Sequence, residues 1–337
     1  MQKYWYDNEN RIAVSSRIRL ARNLDKTAFP NKLNKEDTAA ICKKTGDVLT
    51  AREYSFGKLH YIDMDEFSQN VPSLFERHII SPEFANNYHG KGLLLSDDES
   101  ISIMLCEEDH IRIQSISPGD DLQSAYKKAK EVDDVLCNNI RVAFSDELGF
   151  LTACPSNLGT GLRASVMLHL PLSESQGRIP ALSAELSKIG LTIRGTYGEG
   201  SKGFGSFYQV SNQITLGITE ENAIKNLNGI VKQIIISEEN LRKEAYKPVL
   251  EDKIFRALGT LKYARRVNSA EMIKLLSLIK LGTDMGIIKN KSKNSIYSLI
   301  INTQPNTLML NAKNNYTPGE RDILRGDILR EKLKEVE

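Results

Sequence analysis

The sequence predicts an α+β fold: an antiparallel sheet flanked by helices, followed by a smaller all-helical C-terminal domain. Three observations carry this expectation. Residues 92–116 alternate apolar and polar side chains with the period of two that a strand imposes. Glycine-rich turns separate further alternating stretches up to about residue 217. Beyond about residue 240 the apolar spacing turns almost wholly helical. The expected domains are residues 1–240 and 241–337.

Each element follows from a local signal. Leu93, Leu94 and Leu95 end at the polar turn Ser96-Asp97-Asp98-Glu99. Ile101, Ile103 and Leu105 then alternate with Ser102, Met104 and Cys106, and Ile111, Ile113 and Ser115 repeat the period, which predicts a meander. Residues 163–170, 193–196 and 207–216 read as further strands, and a strand over 149–153 leads into Cys154. The loop between the strands at 193–196 and 207–216 holds Gly198, Gly200, Gly203 and Gly205. Residues 179–186 are apolar at helical spacing, with Gly190 as the stop. Thr219 is placed to cap a helix whose stripe is Ile224, Leu227, Ile230, Val231 and Ile234, and residues 272–279 form another helix. Thr317-Pro318-Gly319-Glu320 is a capping-box pattern with proline at the first helical position.

Composition narrows the function classes. The chain has 337 residues, room for about two domains. Its 45 Lys and Arg nearly balance 43 Asp and Glu, so no bulk basic field points to nucleic acid. Cys42, Cys106, Cys137 and Cys154 are scattered without metal-ligand spacing, which predicts reduced thiols and no dedicated metal site. Neither a signal peptide nor a run of about 18 apolar residues is present, so a cytoplasmic protein without a membrane partner is expected.

The residues with chemical promise are arginines and carboxylates. Ser15-Ser16-Arg17-Ile18-Arg19 places two guanidinium groups on one side of an extended segment. Arg112 follows Glu107-Glu108-Asp109-His110-Ile111, Arg163 ends the loop Asn157-Leu158-Gly159-Thr160-Gly161, and Arg194 precedes Gly195-Thr196-Tyr197-Gly198-Glu199. Taken singly, each reads as a solvated surface arginine. Together they suggest an anion site, because guanidinium forks match phosphate oxygens bidentately. No Gly-x-x-x-x-Gly-Lys-Ser/Thr loop is present, and the glycines at 203 and 205 lack the strand–turn–helix context of a dinucleotide fold. Glu108 and Glu199, if paired, could aim one nitrogen of a cationic guanidinium at a phosphorus and accept its proton. Cys154 reads either as a small buried hydrophobe or as a thiolate activated by a neighbouring guanidinium.

The ordered segments Ser-Ser-Arg-Ile-Arg, Glu-Glu-Asp-His-Ile-Arg-Ile, Cys-Pro-Ser-Asn-Leu-Gly-Thr-Gly-Leu-Arg-Ala-Ser-Val and Arg-Gly-Thr-Tyr-Gly-Glu-Gly resemble the catalytic domain of the ATP:guanido phosphotransferases, or phosphagen kinases. The likeness runs along essentially the whole chain and is strongest to the family's bacterial protein-arginine kinase branch. It implies the antiparallel phosphagen kinase/glutamine synthetase-like sheet domain. It also implies ATP as donor, with Mg2+ held mainly through the phosphates. Residue by residue, it implies nucleotide contacts for Ser15, Ser16, Arg17, Ile18 and Arg19, for His78 and Arg112, for Arg163, Ala164, Ser165, Val166 and Met167, and for Arg194, Gly195, Thr196, Tyr197 and Gly198. Glu108 and Glu199 match the carboxylates that hold the acceptor guanidinium, and Cys154 the cysteine that contacts it. Cys106 stands where relatives often carry asparagine.

Arg321-Asp322-Ile323-Leu324-Arg325-Gly326 resembles the family's Arg-Asp-x-x-Arg-Ala motif, which lines a phosphoarginine pocket. Arg321 and Arg325 are one helical turn apart, so two cations could meet one phosphate. Gly326 replaces the motif's alanine, at a cost of roughly 1 kcal/mol in helix propensity. The resemblance further implies phosphorylation of arginine side chains in proteins, among them a heat-shock repressor and unfolded proteins. It brings an activator protein and an unfoldase–protease machine as partners in the stress response, and leaves room for a homo-oligomer. Small-molecule members carry a helical N-terminal domain. Only 14 residues precede Ser15 here, which predicts an open acceptor site. Two other readings remain open: a kinase for a free guanidino metabolite, and a phosphoarginine-binding adaptor without catalysis.

Overall fold

The computed structural model describes residues 4–7, 11–196, 204–292 and 295–337. Its strands are β1 (Ala13–Arg22), β2 (Leu59–Asp63), β3 (Gly92–Ser96), β4 (Ile101–Leu105), β5 (Ile111–Pro118), β6 (Phe144–Ser145), β7 (Gly149–Phe150), β8 (Leu162–His169), β9 (Leu191–Gly195) and β10 (Phe207–Asn212). Eight of them form one sheet in the order β2-β3-β4-β5-β1-β8-β10-β9, and β6 pairs with β7. The run β2-β3-β4-β5-β1 is antiparallel throughout. The expected α+β architecture is therefore present.

The chain packs as two compact units. The first comprises Met1–Trp5, Ser15–Val166 and Ser211–Gly229; the second comprises Tyr6–Val14, Met167–Val210 and Ile230–Glu337.

In the first unit, α1 (Lys35–Thr50), α2 (Val71–Glu76), α3 (Pro82–Asn86) and α4 (Leu122–Asn139) surround the sheet. Asn34 starts α1 by accepting the Asp37 N–H at 2.7 Å, and Asp121 starts α4 by accepting that of Ser124 at 2.9 Å. β4 is buried along its whole length, so the alternation in its sequence does not mark a wet face. Its Ser102 hydroxyl donates to the Ile79 carbonyl at 2.8 Å, and the facing Gln114 amide donates to the His78 and Ile79 carbonyls at 2.9 and 3.0 Å. Segment 64–93 thus covers that face, with Met64, Val71, Leu74, Ile79, Phe84 and Met104 in one apolar cluster.

Two strand expectations need correction. The strand predicted over 149–153 is only two residues long, because the Leu151 N–H goes to the Ala143 carbonyl and that of Ala153 to Asp109 Oδ1. The strand predicted to run to residue 216 stops at Asn212. That side chain accepts the Ala164 N–H at 2.7 Å and donates to the Leu162 and Ile214 carbonyls, turning the chain out of the sheet.

The second unit is mainly helical: α5 (Pro171–Ser175), α6 (Ile179–Lys188), the C-terminal part of α7 (Glu220–Glu244), α8 (Lys247–Tyr263), α9 (Ser269–Asp284), α10 (Ile296–Asn302), α11 (Pro305–Ala312) and α12 (Pro318–Lys332). The expected capping box of α12 forms, with Thr317 and Glu320 satisfying each other's backbone N–H groups. Glu238 on α7 is fully buried and accepts the Leu172 and Ser173 N–H groups at 3.0 and 2.9 Å. Those donors begin α5 and have no intrahelical acceptor, so the buried carboxylate takes the place of a cap.

Arg22 anchors the first unit. Its side chain is 0% exposed; its fork grips Asp133 with two bonds of 2.9 Å and reaches Glu220 at 3.2 Å, with Phe150 stacked 3.5 Å from the guanidinium. Removing one partner of so buried a pair leaves an uncompensated charge. Asp133→Ala is expected to lower the unfolding free energy of this unit by about 3 kcal/mol or more, read as a lower urea midpoint. A midpoint unchanged from wild type would show that Glu220 alone holds the charge.

Candidate active site

The pleat of β1 sorts its side chains: Ile18 and Leu20 are fully buried, whereas Arg17 and Arg19 are half-buried on the other face. Antiparallel register sets Arg112 of β5 opposite Ala21 and Gln114 opposite Arg19, so Arg112 shares the arginine face. Arg163 joins them as the second residue of β8. Four guanidinium groups therefore converge. Burial, then the charges of Arg17, Arg112 and Arg163, pull the Arg19 guanidinium well below its ordinary range, opposed by Glu107. Its Nε–H is buried without a hydrogen-bond partner among the described residues. Crowded cations and an unused buried donor are what a polyanion such as a triphosphate would satisfy.

The cations are held apart by specific partners. Glu107 pairs with Arg112 and accepts the Ser81 hydroxyl, which itself caps α3 by accepting the Phe84 N–H at 3.0 Å. Arg163 donates to Asn157 Oδ1 at 3.2 Å, to Ser156 Oγ at 3.0 Å and to the Asn212 carbonyl at 3.0 Å. The Ser-Asn pair of the Cys-Pro-Ser-Asn segment is thus a cradle for Arg163. Gly159 lets the loop pass, at φ 108°, with its Cα so close to Thr215 that an added Cβ would meet that carbonyl oxygen at 2.3 Å. His78, at φ 61°, is pushed down to about 3 by desolvation and by Arg17, so it is neutral at physiological pH.

Glu108 lies exposed in the turn between β4 and β5, near the Cys154 thiol, which itself lies 3.1 Å from the Ser156 hydroxyl. Desolvation, then Asp109, raises the Glu108 carboxyl above the usual range, with Glu107 adding; Arg112 and Cys154 oppose. Asp109 ties the two segments together. Its Oδ1 accepts from Asn23 Nδ2 at 2.6 Å and from the Ala153 N–H at 2.7 Å, one residue before Cys154. Asn23 in turn accepts the His110 N–H at 2.9 Å and donates to the Leu151 carbonyl at 2.9 Å. The sequence reading did not find Glu107, Asp109 or Asn23; the adjacency of three acidic residues, 107–109, was the available signal. Cys106, at φ 57°, is buried with its thiol hydrogen-bonded to Cys42.

The remaining sequence-derived residues are distributed as follows. Ser16 uses its hydroxyl within the fold, donating to the Gly119 carbonyl at 2.8 Å and accepting the Asp121 N–H at 2.9 Å. Ser15, Ile18, Ala164, Ser165 and Val166 are buried strand residues of the first unit. Met167 belongs to the second unit, where the Tyr297 hydroxyl lies 3.2 Å from its sulfur. Arg194 and Gly195 close β9 in that unit, followed by Thr196, whose N–H donates to the Phe207 carbonyl at 2.8 Å. Tyr197, Gly198 and Glu199 lie outside the described residues.

On α12 the two arginines differ from expectation. Arg325 is 1% exposed, and its fork is taken by the Val267 carbonyl at 2.7 Å, the Thr303 carbonyl at 2.8 Å and Asp322 at 2.7 Å. It faces inward because those carbonyls, one of them just past the end of α10, need a donor. Arg321 is half-buried, its Nη1 3.9 Å from Met309 Sδ. Gly326 lies against the chain at Arg265, where a Cβ would stand 2.9 Å from the carbonyl oxygen; the glycine permits close packing that alanine would have to push apart.

A family model described as ATP:guanido phosphotransferase, C-terminal catalytic domain, matches residues 40–241. A second, described as the protein-arginine kinase McsB C-terminal domain, matches residues 247–337. A protein-arginine kinase of Clostridium kluyveri is 44% identical over 336 residues, covering 97% of this chain and 96% of its own. One of Bacillus licheniformis is 44% identical over 331 residues, covering 97% and 91%. Among solved structures, the substrate-free duplicated taurocyamine kinase of Schistosoma mansoni superposes with TM-score 0.61 at 27% identity; the match covers 72% of this chain and 37% of that one. Lombricine kinase shares the fold at TM-score 0.60 and 23% identity, covering 72% and 69%. The chain belongs to the ATP:guanido phosphotransferase family.

Proposed function

We propose that this protein is a protein-arginine kinase, which transfers the γ-phosphoryl group of ATP to a guanidinium nitrogen of arginine side chains in proteins. The observation that carries this reading is the Arg17–Arg19–Arg112–Arg163 cluster, with an unsatisfied buried donor on Arg19, in the same unit as the Glu108–Cys154 pair. Relatives 44% identical over nearly their whole length bear that name. Glu108, Cys154, Glu199 and the five arginines Arg17, Arg19, Arg112, Arg163 and Arg194 are all present in the sequence, which disfavours the non-catalytic adaptor.

In this reading the four arginines hold phosphate oxygens and stabilise charge on the transferring group, together with Arg194. Mg2+ bound through the phosphates would supply further positive charge. Glu108 grips the acceptor guanidinium and orients one nitrogen in line with the γ-phosphorus. As the N–P bond forms and the bond to ADP breaks, Glu108 takes the proton leaving that nitrogen. Its raised basicity suits this role, since a guanidinium above about 12 gives up its proton reluctantly. Glu199 is assigned the second grip, and Cys154 keeps Glu108 aimed. On α12, Arg321 is the phosphoarginine contact, with the Asp322–Arg325 pair as its rigid frame. A cytoplasmic role in the stress response, with an activator and an unfoldase–protease machine, belongs to the same reading and rests on family resemblance.

The direct test supplies Mg-ATP with casein and with free arginine in parallel. Acid-labile phosphoarginine should appear on casein and be lost in Glu108→Ala; turnover of free arginine alone would move the enzyme to the metabolite-kinase reading. Glu107→Gln frees Arg112 and is expected to raise the KM for ATP about tenfold, the loss of one charge-assisted pair. An unchanged KM would remove Glu107 from nucleotide positioning. Because the Glu108 carboxyl is raised, kcat/KM should climb with pH at values above the ordinary glutamate range of about 4.3. Asp109→Asn keeps the acceptor oxygen but removes a raising charge, so the acid limb should move to lower pH; a limb that stays in place would show that another group titrates.

A further inference from the structure

Beside Glu108 the first unit holds a polar cavity of about 410 Å3. Its walls are Lys35 and Thr38 from the first turn of α1, His89 and Lys91 from the segment before β3, and Glu107 and Glu108 from the β4–β5 turn. The charges around it are not equally available. Glu107 is committed to Arg112 and Ser81. His89 lies 2.7 Å from Asp65, which also accepts the Gly90 N–H at 2.9 Å. Lys91 makes no ion pair among the described residues, although its ammonium is half-buried and 5.9 Å from the Phe84 ring. Burial pulls it below its ordinary range, opposed by Cys106, Glu107 and Cys42. A half-buried cation with no ion pair among the described residues, on the wall of a cavity that also holds the acceptor-gripping carboxylate, is a recognition element for an anion.

The chain entering this site is constrained. The target guanidinium must reach Glu108, so the residues beside the arginine pass over the wall that Glu108 shares with Lys91. Free arginine has no such residues to place there. We propose that the cavity receives the polypeptide beside the target arginine and that Lys91, supported by Lys35, selects an acidic side chain there. This rests on the protein-arginine kinase reading and adds a sequence preference to it. The pair would be solvent-connected, so the preference is modest: roughly three- to tenfold.

The test uses the full chain with Mg-ATP and three peptides sharing one central arginine. One flanks it with glutamate, one with glutamine, and the third ends at arginine with a free α-carboxylate. Wild type should show a KM roughly three- to tenfold lower for the glutamate than for the glutamine peptide, with similar kcat. Lys91→Met should bring that KM ratio close to one, while Lys91→Arg, which keeps the charge, should retain it. A wild-type ratio near one, a ratio that survives Lys91→Met, or a preference seen only for the terminal carboxylate would overturn the proposal. If wild type phosphorylates none of the peptides, the protein-arginine kinase reading itself fails, and this preference with it.

Discussion

Four guanidinium groups on one face of a sheet repel one another, and much of the first unit can be understood as the means of holding them there. Arg19 bears the cost directly: burial and three like charges act against its protonated form. The fold answers with directed partners. Arg112 pairs with the Glu107 carboxylate, and Arg163 donates to neutral oxygens of Asn157, Ser156 and Asn212. Neutral acceptors fix direction while preserving positive potential, which a site for a triphosphate requires.

Arg22 shows how completely strand parity decides the fate of a side chain. It is three residues from Arg19 on the same strand, yet it is sealed between Asp133 and Glu220 under an aromatic ring. Odd positions 17 and 19 belong to the face that carries Arg112; position 22 belongs to the opposite face, against Asp133 of α4. The arginine at 22 could not be told from the others by residue type. Parity along β1 would have separated it, given the assignment of Arg17 and Arg19 to one side.

The strands and capped helices were largely legible because their causes are local. Thr317 and Glu320 satisfy each other across three residues, and Ile18 and Leu20 alternate with arginines at fixed period. What was not legible depends on distant pairings. β4 reads as half-wet until Ile79, 23 residues earlier, accepts the Ser102 hydroxyl. The strand predicted to residue 216 ends early because Asn212 finds partners about 50 residues away. Asp109 carries no signal of its own in the sequence beyond its place next to Glu108. It is buried, and it joins three chain segments that are separate in sequence.

That joint bears on the chemistry. Asp109 fixes the turn carrying Glu108 and the segment carrying Cys154 to a single oxygen, so neither can drift relative to the other. Desolvation is the larger cause of the raised Glu108 carboxyl, and the same charge adds to it. Position and part of the basicity are therefore set by one residue that need not touch the substrate. An uncharged residue in its place could preserve the hydrogen bonds and lose that part of the basicity; a residue without an acceptor would lose both. The turn needs an acceptor for geometry, and the proposed proton transfer to Glu108 would draw on the charge. Aspartate at 109 meets both requirements with one side chain.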